Sequence, residues 1–271
     1  MKRAFSTLCC LNATPEEVAA LAVNNGIQGV EVRVSDSGTA FGSCTVGQAQ
    51  TVHRLFEKAG IEVTDMALSC SISEYDYSQL EIGKSGIDFA AALGAHAVRI
   101  FVGAHQAHFT DEVENDYDGI KKALIELSDY GREKNVAVWL ETHSSFSSGK
   151  AMRGLLDYVG REDIGVIWDV MHSLEYHETP EETVKLLGGR IVHIHLKDGH
   201  PTADADATQY FHTDLGEGTM PVNRVVNALD AIGYEGYYSL EWESPWRKEI
   251  RDLYSDVNDL LRKYNDFLDC I

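Results

Sequence analysis

Four β-rich runs in the second half of this chain end in side chains that bind divalent cations. They are Val138-Trp139-Leu140 before Glu141, Val166-Ile167-Trp168 before Asp169, His193-Ile194-His195, and Ser239-Leu240 before Glu241. Three carboxylates and one imidazole form a donor set suited to Mn²⁺, Mg²⁺ or Co²⁺, with Zn²⁺ also compatible. Three anions around a dication are close to charge-balanced, whereas the same carboxylates crowded together without a cation would repel. Period-two alternation puts His193 and His195 on one face of their strand. Only His195 reaches the end of the run. It is therefore the expected ligand, and His193 is expected to be a pocket or layer residue.

A dication held by a substrate carbonyl and its neighbouring hydroxyl acts as a Lewis acid, acidifying the C–H next to the carbonyl and favouring an enediolate. Glu141 and Glu241 come from non-adjacent strands and could flank two faces of such a substrate. If one removes a proton and the other returns one, the product is an epimer. If one base returns the proton to the neighbouring carbon, it is an isomer. If a β-hydroxyl leaves instead, the reaction is a dehydration, with His or Lys as the acid. His143 alternates onto the face of Glu141 and either lines the pocket or bonds to a ligand. Glu31 and Arg33 alternate with Val30, Val32 and Val34, as a buried ion pair or as substrate contacts. Arg99 is placed to meet an anionic group or to pair with Glu31. His53 is expected at the surface, His105 and His108 in a loop, and Trp242 and Trp246 near the site or in the core. Gly216-Glu217-Gly218 reads as a turn more readily than as a phosphate loop.

The elements that must position these groups alternate strictly. Strands are expected at residues 3–9, 29–34, 61–68, 97–102, 136–141, 165–169, 190–196 and 236–242. Helices are expected from Pro15, over 46–59, 80–93, 111–134, 151–159, 180–187 and 222–232, and within 250–268. Thr14, Pro15 and Glu17 form a helix-start signature. Gly26, Gly60, Gly94, Gly131, Gly160, Gly188 and Gly233 are read as helix ends. Apolar strands alternating with helices indicate a parallel sheet covered by helices. Eight such units in 271 residues fit an α/β fold, a (β/α)8 TIM barrel. A doubly wound open sheet would predict a Gly-rich turn after the first strand, and Cys9-Cys10-Leu11-Asn12 offers none. No boundary is evident, so residues 1–271 are expected as a single barrel domain. The irregular stretch 199–219 is expected to be functional or flexible.

The chain carries 23 basic and 43 acidic residues, a net charge of −20. That field repels phosphate backbones, and no Lys/Arg run offsets it, so nucleic acid is not the expected partner. This argues against a DNA repair nuclease. No stretch is apolar enough for a signal peptide or a membrane span. The five cysteines lack a CxxC spacing and are expected as reduced thiols in a cytoplasmic protein. A purely sugar-binding barrel would not need two opposed carboxylates on an ion.

The strings LETH, IWDVMH, HIHLKDG, LGEG and SLEWE resemble the sugar phosphate isomerase/epimerase family, the xylose isomerase-like barrels. The resemblance spans nearly the whole chain and is densest from residue 139 to 246. It implies that Glu141, Asp169, His195 and Glu241 bind a divalent metal, that His172 contacts a substrate oxygen, and that Lys197 faces substrate. It also implies a small sugar or keto-polyol substrate and allows a homo-oligomer. Ketose 3-epimerases of the family carry an Arg where this chain has Pro201 and a Glu where it has Ser147. LETH and SLEW also occur in its dehydroshikimate dehydratases. The expected activity is metal-dependent isomerisation or epimerisation, with dehydration of a cyclic keto-polyol as the alternative.

Overall fold

The computed structural model describes residues 1–34, 41, 44–105, 113–202 and 210–271. In chain order its elements begin with β1 (Lys2–Ser6), α1 (Pro15–Asn24), β2 (Gly29–Arg33), α2 (Val46–Ala59), β3 (Glu62–Ile72) and α3 (Tyr77–Leu93). There follow β4 (Ala97–Val102), α4 (Tyr117–Lys134), β5 (Ala137–Glu141), α5 (Gly149–Val159), β6 (Ile164–Asp169) and α6 (Val170–Glu175). Then come α7 (Pro180–Leu187), β7 (Ile191–Leu196), β8 (Asp198–Pro201), β9 (Tyr210–Thr213) and α8 (Val222–Asp230). β10 (Tyr237–Leu240), α9 (Lys248–Arg251) and α10 (Val257–Asp269) complete the chain. Eight strands close a barrel in the order β1-β10-β7-β6-β5-β4-β3-β2, and every pairing is parallel. The α/β barrel expected from the alternation is thus present.

Period-two alternation gives each strand two roles. Phe5, Val30, Val32, Met66, Leu68, Val98, Ile100, Val138, Leu140, Val166, Trp168, Ile194 and Leu196 join the apolar cluster shared with the helices. The other face carries Glu31, Asp65, Arg99, Glu141, Asp169, His193, His195 and Ser239, all buried. Apolar layers that commonly fill such barrels are here largely replaced by ionisable groups. Register aligns Asp169 with His195 and His195 with Ser239, so these side chains stand at one height.

Local chemistry explains the helix starts. Thr14 and Thr179 each close a capping box, with Glu17 and Glu182, and a proline opens each helix. Gly60, Gly94 and Gly160 adopt the left-handed conformation at helix ends, as expected. Gly131 does not. It lies inside α4, whose left-handed cap is Asn135 at φ 58. Gly131 is needed there for space, since a Cβ would stand 2.4 Å from the Val136 carbonyl oxygen. Gly188 ends α7 at positive φ but with ψ −132, outside the left-handed helical region.

Other boundaries also differ from expectation. β1 stops at Ser6 because residues 7–10 turn into a 3₁₀ helix capped by Ser6, whose Oγ accepts from Leu8 N at 3.4 Å. β3 runs on to Ile72 after a register shift between Ala67 and Ser71. The helix expected from 111 begins at Tyr117, capped by Asp116, and residues 111–112 lie outside the described residues. The last helical stretch is divided into α9 and α10.

The 199–219 stretch contains part of an antiparallel hairpin, β8–β9, and residues 203–209 lie outside the described residues. Asp198 anchors this region. Its carboxylate accepts from the backbone N–H groups of Gly199 (2.8 Å), Gly216 (2.9 Å), Gly218 (3.1 Å) and Met220 (3.1 Å). The Gly216-Glu217-Gly218 turn therefore wraps a carboxylate of the chain itself, which leaves no room for a phosphate. Among the described residues no disulfide forms, and Cys9, Cys10, Cys70 and Cys270 are free thiols. Among the described residues no helix is long and apolar enough to cross a membrane.

Two helix-interior glycines separate space from propensity. A Cβ at Gly154 in α5 meets nothing within 4 Å. Gly154→Ala should stabilise the protein by about 0.5–1 kcal/mol in urea unfolding, the ordinary helix-propensity gain. Gly131→Ala should reverse that sign and destabilise by about 1 kcal/mol or more. Equal effects of the two substitutions would show that Gly131 is not held by close packing.

Candidate functional site

The barrel's mouth is built from strand ends. Asp169 closes β6 and caps α6, its Oδ1 accepting from Met171 N (3.0 Å) and His172 N (3.4 Å). That orientation leaves Oδ2 facing the barrel axis. Thr142, next to Glu141, ties β5 to β6 by accepting from Asp169 N at 2.9 Å. One donor atom from each of Glu141, Asp169, His195 and Glu241 falls within 4.8 Å of the others, and all four residues are buried. Ligand atoms across a divalent ion stand about 4 Å apart at bond lengths of about 2.0–2.2 Å, so the four residues fit a single ion. The expected ligand quartet is brought together.

Each ligand is oriented by a second group. Glu31 Oε2 lies 2.6 Å from His195 Nε2, and Glu241 Oε2 lies 3.4 Å from His195 Nδ1. An ionised carboxylate only accepts, so Glu31 fixes the proton on Nε2 and leaves Nδ1 toward the quartet. Burial alone would raise the Glu31 carboxyl; His195 and His193 outweigh it and hold it far below the usual range. Burial alone would pull the His195 imidazole down, but Glu241 and Glu31 hold it up. The alternatives of a Glu31 pair with Arg33 or Arg99, or a direct substrate contact, are replaced by this contact behind His195. Arg99 pairs with Glu141 instead, Nε to Oε2 at 3.1 Å, with both side chains 3% exposed. Burial pushes the Glu141 carboxyl up to about 7 against the pull of Arg99.

Lys197 stands among the carboxylates. Its Nζ is 2.6 Å from Asp169 Oδ2, 2.5 Å from Glu241 Oε2 and 2.6 Å from Glu243 Oε1. Burial would lower its pKa, and those three carboxylates drive it well above the usual value. His172 directs Nδ1 to Glu175 (3.0 Å) and Nε2 toward Asp169 Oδ2 (3.6 Å). His143 directs Nδ1 to Ser144 Oγ (2.7 Å), with its ring 4.9 Å from that of His172 and 4.5 Å from Phe101. All the residues expected to contact substrate, apart from Glu31, thus stand around the quartet. His193 lies deeper, 3.5 Å from Glu31 and 3.8 Å from Asp65, stacked on Trp139.

The other residues weighed from sequence fall outside the quartet. Arg33 is in register with Arg99 across Ala67 and donates to Ala67 O and Ser69 Oγ at 3.1 Å each. Trp242 is core, edge-on to Tyr254, and Trp246 is exposed. His53 and His105 are exposed, and His108 lies outside the described residues.

Sequence reasoning missed Glu243, Asp65, Glu175, Arg247 and His212. Glu243 bridges Lys197 and Arg247. It follows Glu241 by two residues, the same alternation that flagged His143. Asp65 was signalled only by being polar inside an apolar strand; burial and the Glu31 charge push its carboxyl well up. His212 comes from β9, is buried, and has an Nε2 with no hydrogen-bond partner.

Burial lowers the pKa of His212 to about 3. The folded protein therefore keeps His212 neutral while the unfolded chain protonates it near 6.5. Above that pH the group adds no pH dependence. As pH falls from about 6.5 toward 3, protonation of the unfolded chain removes stability. Between pH 6.5 and 5.5 wild type should lose about 1 kcal/mol more than His212→Gln in urea unfolding. An identical pH dependence in the two proteins would rule out a buried neutral His212.

A model of the xylose isomerase-like TIM barrel family matches residues 19–264. An uncharacterised protein of Methanocaldococcus jannaschii is 24% identical over 192 residues, 68% of this chain and 61% of its own length. This chain's match thus spans about three fifths of that relative. The probable 3-DHS dehydratase AsbF of Bacillus anthracis superposes with a TM-score of 0.78 at 18% identity, covering 99% of both chains. L-ribulose 3-epimerase superposes at 0.78 and 17% identity, over 100% of this chain and 94% of that one. An IolI protein with a bound zinc atom superposes at 0.79 and 17% identity, over 99% and 96%. At these identities the likeness is one of fold, and with the family match it leads to one conclusion: the chain belongs to the xylose isomerase-like TIM barrel family.

Proposed function

We propose that the protein is a divalent-metal-dependent isomerase or epimerase of a small polyhydroxy carbonyl compound. One observation carries this reading. Donor atoms of three buried carboxylates and one buried imidazole, from Glu141, Asp169, His195 and Glu241, converge within 4.8 Å of one another. Carboxylates buried so close together repel unless cations intervene, so a concentration of this kind marks a place built for a ligand. Glu141, Asp169, His195 and Glu241 would hold the ion, with Mn²⁺ the best match to three carboxylates and one imidazole. The ion would supply Lewis acidity toward a carbonyl oxygen and its neighbouring hydroxyl.

The chain's own groups do the proton chemistry. Glu141 and Glu241 project from β5 and from just beyond β10, with β6 and β7 between them. One carboxylate removes the proton next to the carbonyl. Return by the opposite one inverts the carbon, and return to the neighbouring carbon moves the carbonyl. Lys197 and His172 donate hydrogen bonds to substrate oxygens. Arg99 keeps Glu141 oriented.

A second reading is dehydration of a cyclic keto-polyol. It is favoured by Lys197, an ammonium beside Glu241 able to protonate a departing hydroxyl, and it agrees with the fold likeness to a dehydratase. The net charge of −20 and the burial of the quartet favour small molecules over nucleic acid in either reading.

Ketoses, inososes and 3-dehydroshikimate incubated in D₂O with Mn²⁺ should give a product carrying solvent deuterium at carbon, read by NMR. A conjugated product absorbing in the ultraviolet would select dehydration. Turnover should vanish with EDTA and return with Mn²⁺. Glu241→Gln should lower it about 100-fold or more while leaving the circular dichroism unchanged. Turnover indifferent to EDTA or to Glu241→Gln would exclude this site.

A further inference from the structure

Arg33 and Arg99 stand on β2 and β4, on either side of β3. Both are in register with Ala67. Side chains at one register on neighbouring strands share a face, and between these two lies only a methyl group. Two long cationic side chains therefore rise side by side over a small residue. The β3 ladder is interrupted just beyond it, between Ala67 and Ser71. Backbone carbonyls hold the pair: Ala67 O, which also accepts from Val34 N, accepts from Arg33 Nη1 at 3.1 Å, and Leu68 O accepts from Arg99 Nη1 at 3.3 Å. Phe101 backs Arg99, its ring centroid 4.1 Å from the guanidinium carbon. The pair is built in and not a chance of surface side chains.

Like charges placed together work against each other unless an anion joins them. Among the described residues no carboxylate pairs with Arg33, and Glu141 alone pairs with Arg99. Glu141 also belongs to the ligand quartet, so its charge is shared. Arg99 Nε is buried with no hydrogen-bond partner of good geometry. Among the described residues one positive charge is left over on this side of the mouth, next to the position where substrate would meet Glu141. On the opposite side Lys197 and Arg247 are matched by Glu243, Asp169 and Glu241. The surplus is thus local, in a chain whose net charge is −20.

We propose that Arg33 and Arg99 form a subsite for a carboxylate on the substrate, so that this site takes a small hydroxy-carbonyl acid in preference to a neutral sugar. The proposal rests on the reading of this mouth as the substrate site. Guanidinium forks match the two oxygens of a carboxylate. A surplus of one charge fits a monoanion better than a dianionic phosphate. Arg99 Nε is 3.1 Å from Glu141 Oε2, so a bound carboxylate sits close to the carboxylate that works on carbon. The acid and the reacting carbon must therefore be near neighbours in the substrate.

The test is calorimetric binding to the full chain, with Mn²⁺ and after chelation. The probes are quinate and glycerate, which have no ketone or aldehyde to react, each beside its methyl ester, with ribulose 5-phosphate as the phosphate arm. At least one acid should bind saturably, about tenfold or more tighter than its ester. Arg33→Gln should erase that difference and Arg33→Lys should keep part of it. Mn²⁺ binding by Arg33→Gln should match wild type, which also shows that the variant has folded. Acid and ester binding alike, no saturable acid, a preference for the phosphate, or a difference that survives Arg33→Gln would each overturn the proposal. A protein that prefers the acid yet binds no Mn²⁺ would refute the metal reading and leave the arginine subsite standing. One that binds Mn²⁺ without preferring the acid would refute the subsite alone.

Discussion

Like charges buried together are the constraint from which this structure follows. Glu31, Glu141, Asp169 and Glu241 are each at most 5% exposed, and they converge on one end of one barrel. Carboxylates taken from water and set within a few ångströms of one another are strongly disfavoured unless cations intervene. Lys197 lies between Asp169 and Glu241, Arg99 against Glu141, and His195 between Glu31 and Glu241. Even so, donor atoms of three carboxylates and one imidazole crowd within 4.8 Å of one another at the centre. A divalent cation held by Glu141, Asp169, His195 and Glu241, as proposed, would relieve that crowding.

The fold supplies the rigidity this arrangement needs. Apolar residues on the outward face of each strand lock the barrel to its helices, which frees the inward face for charge. Asp169 serves two purposes with two oxygens, capping α6 with one and facing the site with the other. Asp198 gathers four backbone N–H groups and so fixes the chain that leaves β7 just beyond His195 and Lys197. Carbonyls of Ala67 and Leu68 on β3, where its pairing with β4 shifts register, hold two arginines in place.

Much of this was legible in the sequence where the signal is local. Strand ends bearing Glu141, Asp169, His195 and Glu241 stand out because a polar residue terminates an apolar run, and eight near-equal units lead to a closed barrel. What could not be read depends on closure. Glu31 reaches His195 across 164 positions of sequence, because β2, β1, β10 and β7 become neighbours only when the barrel shuts. Alternation placed Glu31 on the inner face and was silent on its partner. Gly131 looks like a helix end by composition, yet its role is a close approach to Val136 that only packing reveals. The β8–β9 hairpin was hidden because a side chain, Asp198, organises it and not strand propensity. Glu243 was within reach, since the alternation that found His143 applies to it equally.

The central claim is that the four strand-end residues form a cation site. It is tested most directly by titrating Mn²⁺ into the chelator-treated full chain and following free Mn²⁺ by electron paramagnetic resonance. Asp169→Asn is the control, since Asn keeps the helix cap while removing the charge. The account predicts saturable binding of a single ion per chain, weakened about tenfold or more in Asp169→Asn. No saturable binding, or binding of equal strength in the two proteins, would contradict it.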